Sequence, residues 1–213
     1  MKKLMLFVFI FVTLTTTVFG QAKEITADEL RQSFRPAYDK LFEISYRKRS
    51  TEENYKDGKL SGKIEIISEF IPPKKRHTIT VEMVGDKRQK SEMFIIEGIY
   101  YCRKDDGEWT KSQKGCGSGG GFSVLPDAVS SKFTLEETKL DNVTAKLYQQ
   151  YMTYVFPEDK ISYFLDKFWI NDEGFLLRRE MEYGWVEPKF IRSKQSDVYE
   201  YNPKDLKIEA PIK

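Results

Sequence analysis

The segment Lys90–Thr110, with the sequence KSEMFIIEGIYYCRKDDGEWT, predicts a β-hairpin that the rest of the chain has to cover. Met93–Tyr101 is apolar at both odd and even positions and rich in Ile, Phe and Tyr, which is typical of a strand buried on both faces. Asp105-Asp106-Gly107 then predicts a turn, because Asp favours early turn positions and Gly accepts positive φ. The chain returns through Glu108–Thr110.

Residues 1–20 have the pattern of a secretory signal peptide. Lys2-Lys3 is a positive start, Leu4–Leu14 is apolar, and residues 15–20 are mostly small or polar. The apolar run is too short for a membrane-spanning anchor, which needs about 20 residues. No lipobox cysteine lies near the expected cleavage after Gly20 or Ala22. We therefore expect a soluble periplasmic or secreted protein, with residues 21–213 as one domain.

The charge of the mature chain excludes some partners. Removal of Lys2 and Lys3 with the signal lowers the formal net charge from +2 to 0. No net positive field remains to favour nucleic acid or an anionic membrane surface. Two basic clusters, Lys74-Lys75-Arg76 and Lys87-Arg88, lie at opposite ends of one predicted strand. They are either solvated turn tips or contacts for anionic lipid heads or a partner at the rim of the fold.

The chain has two cysteines, Cys102 and Cys116. An even pair in an exported chain predicts a disulfide, which would stabilise the fold by about 3 kcal/mol. The alternative is a redox or metal pair. The cysteines form no CxxC motif, and with one histidine in the chain they make a poor metal site. We predict a structural bridge, no metal and no cofactor.

The periodicity of the mature chain changes once, from helix to strands. Thr26 and Glu29 form a capping box, and apolar residues recur every three or four positions up to Leu41. Pro36 lies inside this pattern and predicts a kink or an early end. From Phe42 the period approaches two, which predicts nine or ten strands, among them Phe42–Tyr55, Lys63–Ile71, His77–Val84, Met93–Tyr101, Phe133–Leu140, Thr144–Val155, Ile161–Ile170, Phe175–Tyr183 and Lys189–Tyr201.

One amphipathic helix and many hairpins predict an α+β, mostly β fold. Consecutive strands joined by short turns form an antiparallel meander. One helix cannot cover so many strands if the sheet is flat. We therefore expect a strongly curved antiparallel sheet, a half-open barrel, that covers the N-terminal helix.

Three parts of the chain carry a family resemblance. They are the helix that leads into a long strand, the segment Ile95–Thr110, and the pair Phe168–Tyr183 (FWINDEGFLLRREMEY) and Tyr199–Pro211 (YEYNPKDLKIEAP). Their order resembles the LolA/LolB-like lipoprotein-carrier superfamily, which includes mycobacterial lipid-binding lipoproteins. The resemblance implies that residues 21–213 form a single LolA-like domain, a half-open barrel whose apolar concave face holds acyl chains. It also implies that a family arginine corresponds to Arg47 or Arg49.

The apolar strand positions are the candidates for a ligand-binding lining. Burial of a lipid tail gains about 0.8 kcal/mol per methylene, so a concave sheet can hold a chain without catalytic residues. The alternative for each side chain is simple packing against the helix. The candidates are Ile64, Ile66, Phe70, Ile79, Val81, Met83, Phe94, Ile96, Phe175, Leu177, Met181 and Tyr183.

The sequence offers little catalytic chemistry. A Ser-His-Asp or Cys-His mechanism would have to use His77, the single histidine, and no nucleophile elbow is present. We predict a solvated histidine at a strand end and no enzyme. The predicted function is a carrier or sensor for a lipid or lipoprotein acyl chain, with a possible envelope protein partner. The alternatives are a ligand-free envelope interaction or stress-sensing module and, third, a hydrolase.

Overall fold

The computed structural model describes residues 21–116 and 127–212, so the predicted signal peptide lies outside the described residues. The described residues form one α-helix, α1 (Ala27–Glu43), one 3-10 turn (Pro157–Asp159) and twelve strands. The strands are β1 (Lys23–Ile25), β2 (Tyr46–Lys56), β3 (Lys59–Ile71), β4 (Lys75–Val84), β5 (Lys87–Ile96), β6 (Ile99–Lys104), β7 (Thr110–Ser112), β8 (Ala128–Leu140), β9 (Val143–Phe156), β10 (Lys160–Asn171), β11 (Leu176–Trp185) and β12 (Phe190–Tyr201).

The strands form one antiparallel sheet from two meanders. One meander runs β2 to β7 and the other β8 to β12, and they join because β12 pairs with β2 along Ser193–Tyr201. β1 pairs with β8 at the far edge. The sheet is not closed and curves as a half-barrel over α1, which confirms the predicted fold class. The pairing of β12 with β2 is long-range, and periodicity along the chain does not encode it.

The predicted capping box opens α1. The Thr26 hydroxyl accepts a hydrogen bond from the Glu29 backbone N–H at 3.2 Å, and the Thr26 N–H donates to the Glu29 carboxylate at 2.7 Å. The early end predicted at Pro36 is wrong, because the helix continues to Glu43. Ala37 and Leu41 lie beyond the proline and are buried. Their packing outweighs a proline cost of about 3 kcal/mol.

Thr26→Ala is expected to lower the free energy of unfolding by about 1 kcal/mol, because it removes the side-chain acceptor of the cap. Urea unfolding monitored by circular dichroism measures the change. Gln32→Ala, at an exposed position inside the helix, is the control and should cost nothing, since Ala has the higher helix propensity. Equal losses in the two variants would contradict the role of the cap.

The single strand predicted over Met93–Tyr101 is wrong. The structure divides this run into β5 and β6, with a tight turn at Glu97-Gly98 whose φ values are +52° and +85°. Glu97 and Gly98 are exposed, so the run is not buried throughout. The high β-propensity belongs to two paired arms of one hairpin, in which Ile96 lies opposite Ile99. The predicted turn after β6 is confirmed, with a hydrogen bond from the Gly107 N–H to the Lys104 carbonyl at 3.1 Å.

The hairpin of β10 and β11 also departs from simple alternation. The register shifts between Trp169 and Ile170, so that Ile170 lies opposite Leu176. Alternation alone predicts that Phe175 and Leu177 share a face with Arg179. The structure instead buries Leu176 in the core, and Leu177 is only partly buried. Because of this irregularity, Leu176 points towards the core in place of Leu177.

The core lies where α1 meets the sheet. We call the side of the sheet that carries Tyr148, Phe168 and Tyr199 and packs on α1 the helix face, and its opposite the outer face. The predicted disulfide is confirmed, with 5.6 Å between the Cα atoms of Cys102 and Cys116. Among the described residues, no helix has both the length and the apolar character needed to cross a membrane.

Candidate functional site

The candidate site is the cleft between α1 and the helix face. Leu30, Ala37 and Leu41 form one buried stripe of the helix and belong to the same core cluster as the buried residues of β9, β10 and β11. A helix of 17 residues is about 25 Å long and 10 Å wide, whereas twelve strands span roughly 50 Å. The helix therefore covers only part of the curved sheet, and an open cavity lies along each of its halves.

The N-terminal cavity, beside the first half of α1, has a volume of about 460 Å³. Its apolar wall consists of Leu30 and Phe34 from the helix, Phe133 from β8 and Phe168 from β10. The polar part of its lining consists of Arg31, Gln150, Asp166 and Arg179. The rings of Phe34 and Phe168 lie 4.5 Å apart between centroids. Strand alternation presents Phe168 to the helix, and the helical period presents Phe34 to the strand. This wall suits a hydrocarbon chain.

The C-terminal cavity, beside the second half of α1, has a volume of about 350 Å³. Leu41, Tyr46 and Tyr199 provide an apolar floor, and the exposed rings of Tyr38 and Phe42 stand at its edge. This cavity is more polar than its neighbour. It also contains the side chains of Lys48, Ser68, Arg76, Arg179, Gln195 and Asp197.

A buried ion pair lies between the two cavities. Arg179 borders both of them and donates to both carboxylate oxygens of Asp166, at 3.0 and 2.7 Å. Asp166 is only 3% exposed. Burial raises the pKa of Asp166 above its ordinary value, although the hydrogen bonds from Arg179 act in the opposite direction. The pair is costly to bury, and it places a fixed dipole in the wall of the cleft.

A second carboxylate, Asp197, is buried in the C-terminal cavity. Lys48 lies 3.4 Å from it, and the Gln195 amide donates to it at 3.0 Å. Burial raises the pKa of the neighbouring Tyr199, and the charge of Asp197 adds to this effect, so the phenol keeps its proton. The floor of the cavity is therefore hydrogen-bonded as well as aromatic.

The prediction that His77 is solvated is wrong. His77 lies on the outer face, and its two ring nitrogens are each 2.9 Å from a carboxylate oxygen, one of Glu69 and one of Glu92. Phe94 stacks on the ring at 4.1 Å between centroids. Arg47 binds Glu69 and Arg103 binds Glu92. Sequence reasoning missed this network of charged side chains, because its members meet only when β2 to β6 are paired in the correct register.

The twelve predicted lining residues do not share one surface. In the register, Ile66 lies opposite Thr80, and Ile79 lies opposite Ile67, so β3 and β4 send their predicted residues to opposite faces. The helix face carries Ile64, Ile66, Phe70, Met181 and Tyr183, and the outer face carries Ile79, Val81, Met83, Phe94 and Ile96. Phe175 packs on Tyr201, and Leu177 lies at the register shift. A ligand-binding role for these residues stays a prediction.

The walls of the two cavities come from other residues. Phe34 was visible in the helical pattern, and Phe133 and Phe168 lie in predicted strands. The helical period of α1 combined with the register of β8 to β10 could have identified them. Of the two arginines implied by the family resemblance, Arg47 is the less exposed one and is bound to Glu69 and Asp205, whereas Arg49 is exposed.

The fold and the site define a class: an open antiparallel half-barrel with one covering helix and a partly apolar cleft between them. No protein-family model matches this chain, and no curated protein matches it in sequence. Among solved structures, it is similar to LprF from Mycobacterium bovis, with 9% identity and a TM-score of 0.46, over 87% of this chain and 98% of that chain. It is also similar to a DUF1329 family protein from Desulfovibrio piger, with 10% identity and a TM-score of 0.30, over 86% and 94% of the two chains.

The architecture implied by the LolA/LolB-like resemblance is confirmed, since one helix lies under an open, curved antiparallel sheet.

Proposed function

We propose that this protein is an exported, non-enzymatic carrier that binds the acyl chain of a lipid or lipoprotein in the cleft between α1 and the helix face. The observation that carries the proposal is the N-terminal cavity, an open space of about 460 Å³ in which Leu30, Phe34, Phe133 and Phe168 form an apolar wall. Ligand sites in proteins are concave and mostly apolar, with a few polar groups, so this wall suits the apolar part of a ligand.

Burial alone supplies enough free energy for such binding. A chain with ten buried methylenes gains about 8 kcal/mol, which corresponds to a dissociation constant near 1 μM before ordering costs are subtracted. No covalent chemistry is needed. The geometry of His77 also supports a non-enzymatic function, because both ring nitrogens face carboxylates on the outer face, away from the cleft.

Two observations support an exported location. The disulfide between Cys102 and Cys116 belongs in an oxidising compartment such as the periplasm or the extracellular space. The pattern of residues 1–20 is that of a cleavable signal. All strands of the described residues join one sheet, which supports residues 21–213 as one domain.

Phe34→Glu is expected to weaken binding of a neutral apolar fluorophore, N-phenyl-1-naphthylamine, by at least about tenfold, because a carboxylate in the wall must lose water when the probe enters. Fluorescence titration measures the dissociation constant, and thermal unfolding confirms that the variant is folded. Leu60→Glu, at an exposed position of β3, is the matched control and should bind as the wild type does.

Wild-type protein that binds neither the fluorophore nor added phospholipid in native mass spectrometry would overturn the proposal. That result would favour the ligand-free interaction module. Equal weakening by Phe34→Glu and Leu60→Glu would place the bound probe outside the N-terminal cavity and would also count against the proposal.

A further inference from the structure

The C-terminal cavity holds more cationic than anionic side chains. Lys48, Arg76 and Arg179 face it, together with one carboxylate, Asp197. Asp166 is next to it through its pair with Arg179. With both carboxylates ionised, the group retains one positive charge. Lys48 and Arg179 are partly shielded from water and Arg76 is exposed, so the excess positive charge faces an incoming anion from the open side of the cavity.

Arg76 is the source of this excess. Arg179 is bound to Asp166 and Lys48 lies near Asp197, but Arg76 takes part in no ion pair within residues 21–116 and 127–212. Arg76 lies opposite Phe70 in the register, which places it on the helix face, with its guanidinium 6.0 Å from the Phe70 ring. A guanidinium has five N–H donors, and its planar geometry matches carboxylate and phosphate oxygens.

The edge of the same cavity is aromatic and exposed. Tyr38 and Phe42, one helical turn apart, are 46% and 54% exposed, with ring centroids 5.3 Å apart. Exposed rings beside an unpaired cation suit a molecule with a hydrocarbon part and a negative end. A small soluble anion would gain nothing from the rings, and a neutral lipid would gain nothing from Arg76.

The two cavities are neighbours. Arg179 borders both, so a ligand whose chain lies along the apolar wall of the N-terminal cavity and extends past Arg179 would reach the C-terminal cavity. We propose that the C-terminal cavity binds the anionic headgroup, a carboxylate or a phosphate, of the amphiphile whose chain occupies the N-terminal cavity. This inference rests on the proposed function and specifies the class of its ligand as anionic amphiphiles.

Three probes with the same twelve-carbon chain test the inference: dodecanoate, dodecyl phosphate and dodecan-1-ol. Their dissociation constants are measured by displacement of N-phenyl-1-naphthylamine at pH 8 and low salt. The wild type should bind at least one of the two anions about tenfold more tightly than the alcohol, because one charge-assisted hydrogen bond to the headgroup contributes a difference of about this size. The ratio of the two anions identifies whether carboxylate or phosphate is preferred.

Arg76→Gln should reduce the preference for the anion to about twofold or less and leave the affinity for dodecan-1-ol unchanged. Arg88→Gln is the matched control, because Arg88 is exposed near the opposite end of the β4–β5 hairpin. It should keep the wild-type preference.

Equal affinity of the wild type for the anions and the alcohol would overturn the headgroup inference and leave the carrier proposal standing. A preference that survives Arg76→Gln, or that Arg88→Gln removes equally, would also overturn it. No binding of any of the three probes would instead contradict the carrier proposal.

Discussion

Arg179→Met is expected to lower the free energy of unfolding by about 3 kcal/mol. The substitution keeps most of the side-chain volume but leaves the Asp166 carboxylate buried without the partner that donates two hydrogen bonds to it. Removal of one member of a buried ion pair costs about 3–5 kcal/mol, and the lower figure applies because Arg179 is about one-third exposed. Urea unfolding at pH 7 measures the change.

The loss caused by Arg179→Met should depend on pH. Burial raises the pKa of Asp166, so protonation of this group favours the folded state, and its contribution to stability decreases as the pH rises through the folded-state pKa. Without Arg179 this pKa should rise further. The penalty of Arg179→Met should therefore be smaller at pH 4 than at pH 7. An equal penalty at both pH values would contradict the claim that the loss comes from an unpaired charge on Asp166.

Two further variants separate charge from packing. Arg178→Gln removes an ion pair with Glu180 in which both side chains are about one-third exposed, and it should cost less than about 1 kcal/mol. The double variant Asp166→Leu/Arg179→Met replaces the buried pair with apolar side chains. It should recover most of the loss, because no buried charge remains.

Glu92→Gln is expected to destabilise the protein by about 2 kcal/mol, the second-largest effect. The Glu92 side chain is only 10% exposed and accepts hydrogen bonds from His77 and Arg103 on neighbouring strands. Hydrogen bonds to a charged group contribute about 1.5–3 kcal/mol, and the neutral amide keeps only part of that. Glu82→Gln, at an exposed position of β4, is the control and should change stability by less than about 0.5 kcal/mol.

The contribution of the Glu92 carboxylate to stability depends on pH in the opposite direction to that of Asp166. Burial raises the pKa of Glu92, but hydrogen bonds from Arg103 and His77 outweigh it, so the pKa lies below its ordinary value of 4.5. A lowered pKa contributes stability above pH 4.5, and the contribution is lost as the pH falls through the folded-state pKa. The difference between wild type and Glu92→Gln in urea unfolding should therefore shrink on acidification. A difference that grows on acidification would contradict a stabilising role for the ionised Glu92 carboxylate.

Local signals predicted much of the fold. Thr26 and Glu29 marked the start of α1, the turn at Asp105–Gly107 was correctly placed, and the cysteine pair predicted the disulfide. Each of these features depends on residues close in sequence or on a simple pairing rule. The division of Met93–Tyr101 was missed because an apolar run gives no sign of where it folds back.

The site was harder to predict, because its geometry depends on register between strands. Apolar alternation identified Ile66 and Ile79 but could not tell that they face opposite sides of the sheet. Arg179 and Asp166 meet only after β10 and β11 are aligned. The C-terminal cavity also needs the pairing of β12 with β2, which joins residues more than 130 positions apart. Long-range pairing of this kind leaves no local pattern.

The most direct test of the carrier is to locate the bound chain. Isotope-filtered NMR of the labelled protein with unlabelled dodecanoate reports which side chains lie within about 5 Å of the alkyl protons. The structure predicts contacts from the chain to Phe34, Phe133 and Phe168, in the wall of the N-terminal cavity. Contacts confined to outer-face residues such as Phe94 and Trp109, or none with any aromatic ring of the cleft, would contradict a ligand held between the helix and the sheet.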